Sequence, residues 1–314
     1  MTTATSVGTA SRQDVRVVTP STVVVALGYA IALLAAVAGA FGLFTTGGHG
    51  SGVVTSLRGQ PTDLYGLGVY RFDSVLIGVG NRGTDAVTLF LEVPALVTAL
   101  RLYRRRSLRG TIALVGILGW LLYYYASMTL GTTYNRLFPL YLVLFAAALF
   151  ATPLALGSID TQRFAERFPQ RPSRRALTGY LGGLAAVLTL AWAPSMIASA
   201  VTGQLPTRLG AYTTEVTWAL DLGVIVPAVA VSAVLLHRRN VFGPLAATAM
   251  LSLNVALGLA LVGQGVAQIL ADVPMSGGEK VGAMASFAVM TVVAGVLLGR
   301  LLHNLPIDLP ADNQ

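Results

Sequence analysis

Two carboxylates in this chain stand where a carboxylate is expensive. Glu92 lies inside the apolar run Thr88–Gly110, two residues before Pro94, and Asp221 lies inside a second apolar run, six residues before Pro227. Proline has no N–H, so each helix ladder loosens near its acid. A carboxylate beside a loosened ladder can hold a cation or relay a proton. It can equally form a structural ion pair with Arg82 or Arg136. Ionisable groups within membrane spans usually face a bundle interior or a cavity, whichever role they serve.

Other polar side chains fall in the same half of the apolar runs. Tyr123, Tyr124, Tyr125 and Ser127 close one run, Tyr134, Asn135 and Arg136 open the next, and a later run carries Asn254, Gln264 and Gln268. Lys280 opens the last run. Gln264 and Gln268 are four residues apart and share a helix face. The opposite halves of the runs hold almost nothing comparable. The pattern predicts an outer-half pocket built from Glu92, Tyr124, Asn135, Arg136, Asp221, Gln264 and Gln268. Glu92 is expected roughly 12 Å inside the outer end of its helix, at 1.5 Å per residue. The bland readings are an aromatic belt for the tyrosines, an interfacial helix start for Asn135 and Arg136, and interhelical packing for the glutamines.

The connection over residues 45–83 adds Asp63, Tyr70, Arg71 and Asp73. A loop of this length is functional, packed on itself or disordered. The VLIGVG stretch after Asp73 is apolar enough to lie on the membrane surface or to re-enter it. With its acids Asp63, Asp73 and Asp85, the loop resembles the long first outer loop of integral-membrane glycosyltransferases that use polyprenyl-phosphate sugars. The resemblance covers that loop and its helical setting. The paired acidic motif of those enzymes is missing, so no residue role is carried over.

Composition excludes several chemistries. Of the 314 residues, 54% are hydrophobic and 11% charged, against roughly 25% charged in a soluble domain. The chain has no cysteine, so a disulfide, a thiolate nucleophile and a Cys-type zinc site are ruled out. Its three histidines, His49, His237 and His303, lie outside the apolar runs and lack the neighbours of a Ser-His-Asp or HExxH site. No P-loop is present, and no metal or cofactor is expected. The net charge of +8 sits at the ends of apolar runs, which is topology rather than a nucleic-acid surface.

The elements that must position these residues are helices, because backbone in lipid has to satisfy its own hydrogen bonds. Eight runs are long enough to span: 21–44, 84–104, 110–131, 134–156, 178–201, 213–236, 243–270 and 280–302. The first is too long for the apolar core of a signal peptide and reads as an anchor. With both termini in the cytoplasm, 15 of the 21 basic residues fall inside, following the positive-inside rule at every loop. The expected architecture is therefore an all-α polytopic protein of a bacterial-type inner membrane. It has tails at 1–20 and 304–314, four-helix halves at 21–156 and 178–303, and a basic loop at 157–177 resting on the inner leaflet.

The halves echo one another. Pro94, Arg105, Arg106 and Gly110 recur as Pro227, Arg238, Arg239 and Gly243, all at an offset of 133. Gly28-Tyr29 anticipates Gly179-Tyr180 at an offset of 151, the difference of 18 being absorbed by the longer first outer loop. This predicts a parallel duplication, with common topological rules as the competing explanation. Three functions fit: a transporter or a lipid- or small-molecule-binding membrane protein; an intramembrane enzyme acting on a lipid-linked substrate; or a non-enzymatic subunit or sensor. The partners implied are the bilayer, a lipid or small-molecule ligand, and a membrane subunit.

Overall fold

The computed structural model describes residues 17–48, 50–169, 172–206, 209–274 and 284–305. Lys280, His49 and most of the two tails lie outside them. The protein is all-α and multi-pass, with eight helices among the described residues long and apolar enough to cross a membrane. These are α1 (Thr22–Phe44), α2 (Val75–Arg104), α3 (Leu108–Gly131), α4 (Phe138–Gly157), α6 (Arg174–Thr202), α7 (Val216–His237), α8 (Gly243–Leu270) and α9 (Met284–Asn304). A short helix, α5 (Thr161–Glu166), lies in the basic loop. α3 and α8 form the centre, with 72% and 61% of their apolar windows buried. α6 and α9 are the most peripheral, and residues such as Leu190 and Val289 point outward from them as a lipid-facing surface would.

Close approach at the centre depends on small residues, as membrane helix contacts generally do. A side chain at Gly116 would collide with Ser252 of α8, and one at Gly83 with the Gly263 carbonyl. Ser252 Oγ donates to the Ile112 carbonyl at 3.0 Å across the same α3–α8 seam.

α2 begins at Val75, nine residues before the start expected from hydropathy. VLIGVG is neither a surface nor a re-entrant segment but the first turns of this helix. Gly78, Gly80, Asn81 and Arg82 dilute its hydropathy. Ser74 caps it, its hydroxyl accepting from the Ile77 N–H at 3.4 Å.

Two helices share an unusual backbone. In α2 the turn Thr88–Glu92 is π-helical, and in α7 so is Asp221–Ile225. The Val93 N–H reaches back to the Thr88 carbonyl, and the Val226 N–H to the Asp221 carbonyl. Pro94 and Pro227, each two residues past its turn, cannot donate to the ladder, so the widened register absorbs the defect. Both helices then end in the same left-handed cap, with Arg106 at φ 62° and Arg239 at φ 55°. Arg106 N–H bonds the Tyr103 carbonyl and Ser107 N–H the Leu102 carbonyl, and Arg239 and Asn240 repeat this onto Leu236 and Leu235.

The long first loop is folded. β1 (Gly52–Thr55) and β2 (Pro61–Leu64) pair antiparallel, with Val53 opposite Asp63 and Thr55 opposite Pro61. Gly59, at φ 80°, takes a turn conformation that a residue with a Cβ resists. Arg58 fastens this hairpin to the α6–α7 connection, donating to the Tyr212 and Thr213 carbonyls at 2.9 Å each. Asp73 completes the tie: its Oδ1 accepts from Thr133 N–H at 2.8 Å and from Tyr212 Oη at 3.1 Å. Three connections are thus joined at one buried carboxylate.

Burial pushes the Asp73 carboxyl up from 3.8 to about 6, against the lowering effect of its Thr133 and Tyr212 hydrogen bonds. The folded protein therefore binds this proton more tightly than the unfolded chain does. The stabilisation is complete below the unfolded value and is lost as pH rises through about 6. Thermal unfolding of the wild type in detergent should lose about 2–3 kcal/mol between pH 4 and pH 7 relative to Asp73→Asn. Parallel pH profiles for the two proteins would contradict this.

Candidate functional site

α3 presents Trp120, Tyr123 and Tyr124 at spacings of three and four, the positions that share one side of a helix. Each donates to a different buried carboxylate. Trp120 Nε1 reaches Glu92 Oε2 at 2.7 Å, Tyr123 Oη reaches Asp221 Oδ1 at 2.8 Å, and Tyr124 Oη reaches Asp85 Oδ1 at 3.0 Å. Each acid has a second donor: Thr88 Oγ1 on Glu92 at 3.1 Å, Trp192 Nε1 on Asp221 at 2.7 Å, and Tyr70 Oη on Asp85 at 2.6 Å. The acids are 3%, 6% and 2% exposed respectively. No cation supplies any of these six hydrogen bonds; the donors are indoles, phenols and one hydroxyl. Arg82 instead donates to Tyr65 Oη and to the Leu43 carbonyl, so it is not the partner of Glu92.

A cavity of about 500 Å³ opens beside this cluster, toward the hairpin end of the bundle. Its walls come from α2, α3, α6, α7, α8 and α9 and from the Tyr212–Glu215 connection. This volume suits a drug-sized molecule. Of the residues expected in the pocket, Tyr124, Asp221, Gln264 and Gln268 line it. Gln268 also donates from Nε2 to the Leu76 carbonyl at 3.0 Å, which joins α8 to the first turn of α2. At the cavity floor, Tyr180 Oη accepts from Asn254 Nδ2 at 2.7 Å and donates to the Met290 carbonyl at 3.1 Å.

Glu92 is placed differently from expectation. Because α2 starts early, Glu92 lies roughly 26 Å from that start at 1.5 Å per residue, near mid-depth rather than close to the hairpin end. It does not line the cavity; Trp120 stands between them as a wall residue. Glu92 Oε1 is buried with no hydrogen-bond partner. Asn135 and Arg136 are also separate from the main cavity. With Arg71 they line a second groove of about 770 Å³ at the hairpin end, bordered by Phe41, Phe72 and Tyr134. Asp63 is exposed on β2, whereas Tyr70 is buried against Asp85, and burial together with that acid raises the Tyr70 phenol far above its ordinary value.

Trp120, Trp192 and Tyr212 line the cavity and Asp85 accepts from the wall residue Tyr124, yet none of the four stands out in the sequence as a pocket residue. Asp85 is grouped there with the loop acids, although the apolar run begins one residue before it. The Trp-x-x-Tyr-Tyr spacing on α3 is the available signal for Trp120. Trp192 and Tyr212 reach the site only through tertiary packing. Among the described residues, no group of three or more His, Cys, Asp or Glu is placed to hold a metal ion. No family model, no curated protein and no solved structure matches this chain.

Glu92 is joined to the cavity wall by its hydrogen bond from the Trp120 indole. Glu92→Gln keeps an acceptor for the indole and should unfold within a degree or two of wild type. Glu92→Leu orphans that buried N–H and should cost about 1–3 kcal/mol, with a shift in tryptophan emission. Equal stability of the two variants in a thermal melt would remove the strut role.

Proposed function

We propose that this protein is a transporter or a lipid- or small-molecule-binding membrane protein whose ligand occupies the cavity beside Asp221. One observation carries the reading: a carboxylate held by Tyr123 and Trp192 faces a ligand-sized space inside the bundle. The π-helical turns in α2 and α7 support movement, since such turns commonly mark functional sites and bends in helices. The enzyme reading has weaker support. Among the described lining residues there is no arginine, lysine or histidine to hold a lipid-linked phosphate. Asp73 and Asp85 are also engaged by Thr133 and tyrosines.

The proposal includes a cytoplasmic location for both termini in a bacterial-type inner membrane, with the hairpin and the cavity mouth outside. It also includes a parallel duplication of α1–α4 as α6–α9. The π-turns, the prolines and the left-handed arginine caps all recur at the offset of 133 and support that ancestry.

Because the chain has no cysteine, single-cysteine variants report directly. Leu57→Cys, at the hairpin tip, should react with an impermeant maleimide in intact cells, and Gln162→Cys, on α5, only after lysis. The reverse pattern would invert the topology. Ser127→Cys lines the cavity. In proteoliposomes of one orientation, transport requires that it be labelled from either side. Labelling from the hairpin side alone would exclude a carrier and leave a binding protein.

A further inference from the structure

We infer that the cavity binds an amphipathic organic cation, an inference that rests on the ligand-binding reading above. All three tryptophans of the chain, Trp120, Trp192 and Trp218, line this one space, together with Tyr123 and Tyr124. Aromatic faces carry negative charge density and attract cations, most of all when the site is shielded from water. Trp120 stacks on Tyr124 with ring centroids 5.5 Å apart and planes at 15°, so these rings form a braced wall. The indoles of Trp120 and Trp192 are held by Glu92 and Asp221, which fixes their orientation before any ligand arrives.

Charge points the same way. Asp221 lies at the wall, and its two hydrogen bonds come from a phenol and an indole and neither from a cation. The described lining residues include no basic side chain and two carboxylates, Asp221 and Glu215, a set that favours a cation over an anion. Much of the remaining wall is apolar, including Leu184 and Leu188 from α6 and Leu253 and Leu257 from α8, beside polar residues such as Asn254, Gln264 and Glu215. In one half of the bundle α1 packs along α4, but α6 and α9, which both line the cavity, meet only sparsely. A cationic head near Asp221 with an apolar body along α6 satisfies both surfaces.

The experiment uses the full chain in nanodiscs and two probes of nearly the same shape and opposite charge, tetraphenylphosphonium and tetraphenylborate. Saturable tetraphenylphosphonium binding is expected, with tetraphenylborate at least about tenfold weaker, as one charge contact in a partly dry site requires. Asp221→Asn should cut tetraphenylphosphonium affinity by a similar factor. Trp218→Leu should weaken it several-fold while Trp218→Phe restores most of the loss. Trp218 serves as the second variant because it makes no side-chain hydrogen bond to Asp221. Equal binding of the two probes, or no binding of either, overturns the cation assignment. If Ser127→Cys is still labelled from both sides in that case, transport survives and only the ligand class falls.

Discussion

Three buried carboxylates meet one helix. Asp85 and Glu92 on α2 and Asp221 on α7 each take a hydrogen bond from the Trp120–Tyr124 segment of α3. Desolvating a carboxylate costs several kcal/mol, and two good donors recover only part of that. The arrangement therefore persists only while α3 holds its rotation between α2 and α7 to within a hydrogen bond's tolerance. The position of α8 is set in turn, because Gly116, Ser252 and Ile112 bring it against α3 without a side chain between. The cavity is the space left between these fixed helices and the more loosely packed α6 and α9.

The prolines bear on the same geometry. Each sits just past a π-helical turn, and in both turns a key acid occupies an end position, Glu92 at the last residue and Asp221 at the first. A π-turn inserts one residue into the helical repeat and so rotates the later part of the helix relative to the earlier part. Side chains on the hairpin side of each turn are thereby set independently of those on the arginine side. For α7 this lets Asp221 face Tyr123 and Trp192 while Val229 and Leu236 keep to the core.

Much of the fold was legible because lipid leaves few options: apolar length gives spans, and a buried backbone must be helical. The late start assigned to α2 shows the limit. Gly78, Gly80, Asn81 and Arg82 lower hydropathy, yet they lie where α2 packs on α8 and on the folded loop, so they meet protein rather than lipid. The hairpin was invisible for a related reason: Arg58 and Asp73 stabilise it through partners more than 50 residues away. At the site, polar types inside apolar runs pointed to Asp221, Tyr124, Gln264 and Gln268. Nothing local distinguishes Trp192, a lipid-compatible residue, from a belt tryptophan.

The asymmetry between the halves has a simple volumetric origin if they descend from one ancestor. At the offset of 133, Glu92, Trp120, Tyr124 and Met128 correspond to Ile225, Leu253, Leu257 and Leu261. The first four are all buried and fill their side of the bundle with aromatic and polar volume. The second four are aliphatic and all line the cavity. Replacing two large rings by leucines leaves room, and polar groups arriving from elsewhere, Asp221 and Trp192 among them, turn that room into a site. Under that ancestry the first half would supply the aromatic part of the wall, Trp120 and Tyr124, and the second half the leucines. Divergence of this kind requires no new helix, only that bulk be kept on one side of the axis and removed on the other.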